Sequence, residues 1–301
     1  MALLNTDKQN EKAAILDRIS QHGRLPLWLF SHHSIQLPKN IQQELNKPVR
    51  KNFFFIQLVL KGSSEHRIDW NEVIVSENQI LFVTPELIHT KPLLNSSDAE
   101  FYKISFGKEL LSYFPTLFNF FVNPFDSNII HLDEHSKERV VAVFKLLFEV
   151  IEDKNLETNL VISYLHVLLT ECNFAYFKHL QKPVQLQNNL SLFIKFKQYI
   201  EESFQQQPTI EKIAQALSIN ANTLYQLVKN RTGNSPKEFL TNRLILEAKR
   251  KLYFTDLSTK ELAWSLGYTD PGYFSKLFKK STGKSVLEYR SEMKKISSNS
   301  L

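Results

Sequence analysis

The chain has 301 residues, 43% hydrophobic and 12% aromatic, which favours folded domains over a mainly disordered polymer. It has no apolar run of the ~18 residues that a transmembrane helix needs, and its polar start does not resemble a signal peptide. A single cysteine, Cys172, excludes an internal disulfide. Its apolar neighbours predict a buried thiol. We therefore expect a soluble, cytoplasmic protein with no membrane partner.

The positive charge is concentrated in the last third of the chain. From Leu186 onward there are 18 Lys and Arg against 10 Asp and Glu, a net charge of +8. Residues 1–185 carry 19 against 21, a net charge of −2. This asymmetry favours a polyanion as the partner of the C-terminal part, although a basic surface kept for solubility gives the same charge balance.

The first half of the chain predicts β-strands between residue 25 and about residue 105. Phe53–Leu60 is a long run of β-forming apolar residues that ends at Lys61 and Gly62. Four shorter runs follow, with a turn at Asn71 after the first: Arg67–Trp70, Val73–Val75, Ile80–Val83 and Phe101–Phe106. Short strands at this spacing are typical of a small barrel or sandwich.

The apolar spacing then becomes helical. Val140, Phe144 and Leu147 repeat at helical intervals, as do Tyr164 and Leu168 further along. We expect a helical hairpin over 135–181, a linker over 182–187 and a wholly helical region over 188–301.

The helical region contains an internal repeat. Equivalent residues of the two copies lie 49 positions apart at first, and 50 positions apart after a one-residue insertion at the start of the second helix of the second copy. Ala214 and Ala263 are the small residues that allow two helices to cross closely, and Ser218 and Gly267 are placed to make the turn. We predict two helix-turn-helix units, at about 209–233 and 258–283.

Each unit carries the same helix start and stop signals. Asn220 and Thr269 are the predicted N-caps of the second helices, and Gly233 and Gly283 the predicted C-terminal residues. Ser-x-x-Glu capping boxes begin at Ser235, Ser258 and Ser285. The predicted buried residues of the second helices are Leu224, Leu227, Val228, Phe274, Leu277 and Phe278. One helix over Pro236–Tyr253 joins the units.

The stretch Thr209–Arg290 resembles the DNA-binding domain of AraC/XylS-type regulators. The segment Asp256–Lys280, followed by Thr282-Gly283 and by Glu288-Tyr289-Arg290, carries the resemblance most densely. The N-terminal part is similar to the cupin-like sensory barrel of that family. The implied fold class is α+β: a cupin-like β-barrel over 1–134 with a helical dimerisation hairpin, then an all-α domain with two helix-turn-helix motifs.

The resemblance implies that the exposed side of each second helix enters the major groove. The implied DNA-binding residues are Asn222, Thr223, Tyr225, Gln226 and Lys229 in the first unit, and Gly272, Tyr273, Ser275, Lys276 and Lys279 in the second. Gln226 and Asn222 suit adenine, and Lys276 suits guanine. Candidate phosphate contacts are Arg231, Arg243, Lys280 and Lys284.

For the N-terminal half the resemblance implies a small-molecule effector. The candidate pocket residues are Phe53, Phe55, Gln57, His66, Trp70 and His89. A metal-dependent cupin enzyme fused to a DNA-binding module is the alternative, but the His-x-His pair of cupin metal sites is absent, since Arg67 and Ile68 follow His66. A DNA-repair methyltransferase would need an exposed, activated cysteine. We therefore expect no catalytic residues, metal or cofactor.

The sequence thus predicts a transcription regulator, more an activator than a repressor. The expected partners are double-stranded DNA, an effector, RNA polymerase if the protein activates, and a second copy of the chain.

Overall fold

The computed structural model describes residues 25–32, 49–50, 53–85, 87–94, 99–115, 118–123, 126–153, 157–178 and 184–299. The chain divides into two compact units, Met1–Gln181 and Lys182–Leu301. The boundary falls at the start of the segment predicted as a linker. That segment overlaps a helix, because the first helix of the second unit already begins at Val184.

The N-terminal unit contains nine described strands in two antiparallel sheets. The five-stranded sheet has the order β1-β8-β3-β6-β9 and the four-stranded sheet the order β2-β7-β4-β5. The strands are β1 (Leu27–Ser31), β2 (Val49–Arg50), β3 (Phe53–Lys61), β4 (Ser63–Ile68), β5 (Asn71–Ser76), β6 (Gln79–Val83), β7 (Ile88–Leu94), β8 (Glu100–Gly107) and β9 (Ile129–His131).

The larger sheet has packing partners on both faces. Alternate residues of β3, such as Ile56 and Leu58, pack with the helices, whereas Val59 on the opposite face packs with Ile68 and Val75 of the smaller sheet. The two sheets therefore lie face to face and meet through side chains. The predicted closed barrel is not confirmed, because the described strands form two separate hydrogen-bonded sheets.

One predicted turn is displaced. The strand β4 begins four residues earlier than the predicted run at Arg67, and it ends at Ile68. The turn is made by Asp69 and Trp70, with Asp69 at a φ of 52°, so that Asn71 already begins β5. An aspartate tolerates this left-handed conformation, which the alternation of apolar residues does not reveal.

Two long helices, α1 (Glu134–Glu152) and α2 (Thr158–Phe177), form the expected hairpin. Asp133 caps α1 by accepting a hydrogen bond from the amide of Ser136. The buried side of α2 includes Leu165, Leu168 and Cys172, all fully inaccessible to solvent. Burial raises the pKa of the Cys172 thiol, in agreement with an inert core cysteine.

The helix α2 departs from one expectation. By length and composition, Thr158–Phe177 is apolar enough to cross a membrane. Scattered polar residues such as Asn159 and Thr170 hide this in the sequence, because no stretch is continuously apolar. Core helices meet the same criterion, and the buried side of α2 lies in the core of its unit.

The C-terminal unit consists of helices. They are α3 (Val184–Ser203), α4 (Ile210–Ala216), α5 (Ala221–Thr232), α6 (Pro236–Phe254), α7 (Thr259–Ser265), α8 (Pro271–Thr282) and α9 (Val286–Asn299). Three short 3-10 helices complete the described chain, at Lys108–Tyr113, Asn119–Val122 and Phe204–Gln206.

Candidate nucleic-acid interface

The first helix-turn-helix consists of α4 and α5. Ile213 and Ala214 of α4 are buried, as are Leu224 and Val228 of α5, so the two helices cross at the predicted small residue. Ser218 turns the chain with a φ of 57°, which a polar side chain tolerates at this exposed position. The side chain of Asn220 accepts a hydrogen bond from the amide of Thr223 at 2.7 Å, and this confirms the predicted N-cap.

The second helix-turn-helix repeats this construction in α7 and α8. The amide of Tyr268 donates to the carbonyl of Ala263 at 3.0 Å, as the amide of Ile219 does to Ala214 in the first copy. The predicted N-cap Thr269 is wrong. Asp270 caps α8, its carboxylate accepting from the amide of Gly272 at 2.7 Å, because the extra residue in this copy moves the helix start one position along.

The outer face of α5 is exposed and polar. All five predicted DNA-binding residues lie on it: Asn222, Thr223, Tyr225, Gln226 and Lys229. Tyr225 is 42% exposed although it is large and aromatic. Only Lys229 has a local role in addition, since its Nζ donates to the carbonyl of Gly233 at 2.6 Å and so caps the end of the helix.

The outer face of α8 is more basic and less varied. Gly272, Tyr273, Lys276 and Lys279 are exposed. Ser275 is half-buried, and its hydroxyl donates to the carbonyl of Pro271 at 2.8 Å, so it presents less to a ligand than expected. The buried side differs from expectation at one position, because Leu277 is only half-buried beside the fully buried Phe278.

Gly272 has a structural explanation. A Cβ at this position would lie 3.1 Å from Oδ1 of Asp270, the oxygen that caps the helix. Glycine therefore leaves room for the cap, and the first turn of α8 presents backbone where α5 presents side chains.

The four phosphate candidates differ in their surroundings. Lys280 is exposed, and Lys284 forms an ion pair with Glu292 at 2.5 Å. Arg231 is half-buried, with its guanidinium 5.6 Å from the ring of Phe193, and burial lowers its pKa.

Arg243 is placed for a different role. Its side chain is 11% exposed, and its guanidinium pairs with Glu201 at 2.8 Å and with the buried Glu247 at 3.3 Å. These carboxylates already pair with the guanidinium inside the unit, and the phosphate contact of this residue stays a prediction. The helical spacing of Arg243 and Glu247 was the signal in the sequence that we missed.

A close backbone contact ties the second helix-turn-helix to the segment before the first. A Cβ built on Gly267 would lie 1.9 Å from the carbonyl oxygen of Gln205. Beside it, Nε2 of Gln207 donates to the carbonyl of Leu266 at 3.2 Å. The second copy is therefore held against the segment that precedes the first copy, in addition to its connection through α6.

An exposed aromatic residue on α7 also escaped the sequence analysis. Trp264 is 53% exposed, and Nζ of Lys260 lies 4.7 Å from the centre of its ring. The two residues are four positions apart, a spacing that puts them on one side of a helix, away from the buried Leu262 and Ala263.

In the N-terminal unit, three of the six candidate pocket residues form one buried chain of hydrogen bonds. Nε2 of Gln57 donates to Oγ of Ser64 at 2.9 Å. Oγ of Ser64 lies 3.0 Å from Nε2 of His66, and Nδ1 of His66 lies 3.0 Å from Nε2 of His89. The imidazole rings stack at 5.3 Å. Ser64 was missed because a lone serine in a strand carries no signal.

The aromatic candidates lie around this chain. The ring of Phe55 is 4.9 Å from that of His89, and the ring of Phe53 packs edge-on against Trp28 at 4.5 Å. Trp70 is half-buried in the turn after β4, outside the chain of hydrogen bonds. Among the residues that the structure describes, no three His, Cys, Asp or Glu side chains are grouped to hold a metal ion.

Comparison with known proteins supports the C-terminal assignment. Residues 213–292, which run from the middle of α4 into α9, match the family model described as a helix-turn-helix domain. The C-terminal unit is an AraC-type helix-turn-helix domain. The match begins within α4 of the first copy and continues through α5, α6 and the whole second copy.

The relatives found by sequence are transcription regulators. The lactose operon transcription activator of Staphylococcus xylosus is 28% identical over 186 residues, 61% of this chain and 64% of that protein. The uncharacterized HTH-type transcriptional regulator YijO of Escherichia coli is 33% identical over 123 residues, 41% of this chain and 42% of that protein. This chain therefore spans less than two thirds of the length of either relative.

A solved structure resembles the AraC-type domain. The C-terminal domain of AraT, a response regulator from Geobacillus stearothermophilus, is 32% identical and covers 33% of this chain and 82% of its own, with a TM-score of 0.32.

Proposed function

We propose that this chain is a sequence-specific DNA-binding transcription regulator. The observation that carries the proposal is the pair of helices α5 and α8, each with an exposed polar face, in one AraC-type domain. The helix α6 between the two copies has 19 residues, which extend about 28 Å at ~1.5 Å per residue. With its flanking turns it approaches the ~34 Å between successive major grooves on one side of DNA.

The two recognition helices have different tasks in this proposal. Asn222 and Gln226 on α5 carry amides, which pair with adenine edges. On α8, we assign the exposed Lys276 to guanine acceptors and the exposed Lys279 to phosphate. Sequence preference should therefore come mostly from α5, whereas α8 supplies general affinity.

The experiment is a binding titration against a selected operator and against random DNA of the same length. Gln226→Ala should lower the ratio of specific to random affinity by roughly 1–3 kcal/mol, because a bidentate base contact is lost. Lys279→Ala should weaken binding to both DNAs similarly. Asn189→Ala, an exposed position on α3, is the control. Equal loss on both DNAs for Gln226→Ala would contradict base reading by α5.

We further propose that the protein activates transcription through RNA polymerase in the cytoplasm, under the control of a small molecule bound by a cupin-like N-terminal unit. A relative named as an activator supports activation. Two facing sheets with a buried polar chain between them support the sensory role. A reporter in which deletion of the gene lowers transcription from the operator tests activation, and a rise would indicate repression.

A dimer is proposed through the outer face of α2. Leu160, Val167 and Phe174 are 45%, 44% and 56% exposed and lie seven residues apart, so they form one apolar stripe along the helix. Between them, the hydroxyls of Ser163 and Thr170 donate to carbonyls of their own helix and leave small side chains on the stripe.

Leu160, Ser163, Val167, Thr170 and Phe174 on this face carry no charge, although Nζ of Lys178, one residue beyond the helix, lies 6.0 Å from the centre of the Phe174 ring and pairs with Asp133. The one acidic residue within α2, Glu171, pairs with Arg139 of α1 at 2.6 Å. A neutral stripe matches a second copy of itself without charge repulsion. Val167→Glu should therefore halve the mass in light scattering, whereas Lys145→Glu, exposed on α1, should not. A wild-type monomer at micromolar concentration would contradict the dimer.

A further inference from the structure

The buried chain of hydrogen bonds between the two sheets ends on an unpaired atom. Gln57 of β3 is fully inaccessible to solvent, and its Nε2 is paired with Ser64, but its Oε1 has no hydrogen-bond partner. Turning the amide over exchanges the two atoms and leaves the nitrogen unpaired instead. In both arrangements one polar atom of Gln57 is left for a further group, and buried polar atoms in proteins are ordinarily paired.

The neighbours of Gln57 restrict what this group can be. Lys103 of β8 lies directly opposite Gln57 in the pairing of β3 with β8, so both residues lie on the sheet face that faces β4. The ammonium of Lys103 lies 3.9 Å from the ring of Phe101. Burial lowers the pKa of His66 to about 2, with further lowering by His89 and Lys103, so the imidazole is neutral at physiological pH.

Aromatic side chains lie on the same face around this pair. Phe55 is on β3 two residues before Gln57, and Trp28 is paired in register with Ser105, two residues after Lys103. Phe55, Trp28, Lys103 and Ser105 are all half-buried, in contrast to the fully buried apolar cluster of Val59, Val75 and Leu81. Half-buried side chains therefore border the polar half of the space between the sheets, whereas the polar chain itself is buried.

We propose that this space binds a small hydroxylated organic anion. A ligand hydroxyl donates to Oε1 of Gln57, and the anionic group pairs with Lys103. The carbon skeleton packs against the rings of Phe55 and Trp28. The inference rests on the proposed function, since it names the chemical class of the effector, and it adds Lys103, Ser64 and Trp28 to the pocket predicted from the sequence.

The charges favour an anion over a cation. Lys103 supplies positive charge on the sheet face that carries Gln57. Gln57 then separates hydroxylated anions from their deoxy counterparts, because only the former provide a donor for the buried oxygen. Sites that hydrogen-bond a substrate hydroxyl reject analogues without it more strongly than apolar pockets discriminate by size.

The test is calorimetric titration of the full chain with four probes. Gluconate and glucose 6-phosphate each carry hydroxyls and an anionic group, and comparing them distinguishes a carboxylate ligand from a phosphate ligand. Glucose lacks the charge, and hexanoate lacks the hydroxyls. We expect one of the first two to bind and the last two to bind roughly 10- to 100-fold more weakly. Equal binding of glucose or hexanoate, or binding of none of the four, would overturn the proposal.

Two variants test the residues. Lys103→Gln should remove the advantage of the anion over glucose, and Gln57→Leu should remove the advantage of the hydroxylated anion over hexanoate. Circular dichroism and the melting temperature show that each variant is folded. An unchanged preference in a folded Lys103→Gln protein overturns the assignment even if Gln57→Leu fails to fold.

The DNA titration described above is run on the same protein, with and without the bound probe. Ligand binding without operator binding would contradict the proposed function and leave the pocket standing. Operator binding with no ligand preference would contradict the pocket alone.

Discussion

Substitution of Gly267 by alanine should be much more harmful than its position on the surface suggests. The backbone at Gly267 has a φ of +82°, a left-handed conformation that costs an L-residue roughly 1–2 kcal/mol. In addition, the new Cβ would lie 1.9 Å from the carbonyl oxygen of Gln205. Real Cβ atoms essentially never approach another heavy atom closer than 3.0 Å, so the two atoms would have to separate by about 1.1 Å. The atom in the way is backbone and cannot rotate aside.

Moving packed backbone in this way costs roughly 1–3 kcal/mol, so the total destabilisation should be about 2–5 kcal/mol. Gly283 provides a matched control, because its φ is +76° and a Cβ there would meet nothing within 4 Å. Gly283→Ala should therefore cost only the conformational part, roughly 1–2 kcal/mol.

Hydrogen exchange of the amides in α7 and α8 measures the local free energy of opening in the full chain, and the binding titration measures the effect on DNA. Gly267→Ala should speed exchange in both helices far more than Gly283→Ala does. If the two variants destabilise equally, the contact with Gln205 does not hold the second copy in place, and the reasoning is refuted.

Three further predictions concern caps, a buried ion pair and the cysteine. Ser258→Ala should cost about 1 kcal/mol of unfolding free energy, since the capping box of α7 is lost. The hydrogen bonds from Ser258 lower the pKa of Glu261. The stability that this carboxylate contributes is therefore present above its usual pKa of 4.5 and is lost as the pH falls through the lowered value. Glu261→Gln should flatten that part of an acid titration followed by circular dichroism. In urea denaturation, Arg243→Ala should cost roughly 1–3 kcal/mol, because the buried Glu247 loses one of its two arginine partners and keeps Arg250, whereas Lys284→Ala, from an exposed pair, should cost less than about 1 kcal/mol. Cys172 should react with iodoacetamide only in denaturant, and labelling of the folded protein would contradict its burial.

The repeat in the C-terminal unit was the most predictable part of the fold. Its helices, turns and capping boxes follow from local signals that act within a few residues, as at Ser218 and Gly233, both with positive φ. The one wrong cap, Thr269, arose where the repeat contains an insertion and the equivalence of positions breaks down. Local chemistry still explains the outcome, because aspartate is as good an N-cap as threonine or better.

Contacts between distant residues could not be predicted. Arg243 has the sequence features of a surface arginine, and only the fold brings Glu201, 42 residues earlier, against it. Similarly, the alternation of β3 predicts that Gln57 shares a face with Phe55, but not that Ser64 and His66 of the other sheet extend a chain from it. Register and sheet pairing supply that information, and neither is specified by the pattern of one strand.

The buried pairing of Arg243 and Glu247 has a consequence for the proposed binding to DNA. Mobile ions screen exposed charges, with a Debye length of ~10 Å at 0.1 M salt, but they reach buried pairs poorly. The lysines proposed to contact phosphate on α8 are exposed, whereas Glu247 is 3% exposed. A rise in ionic strength should therefore detach the protein from DNA while its helices stay assembled, so that dilution alone restores binding without refolding.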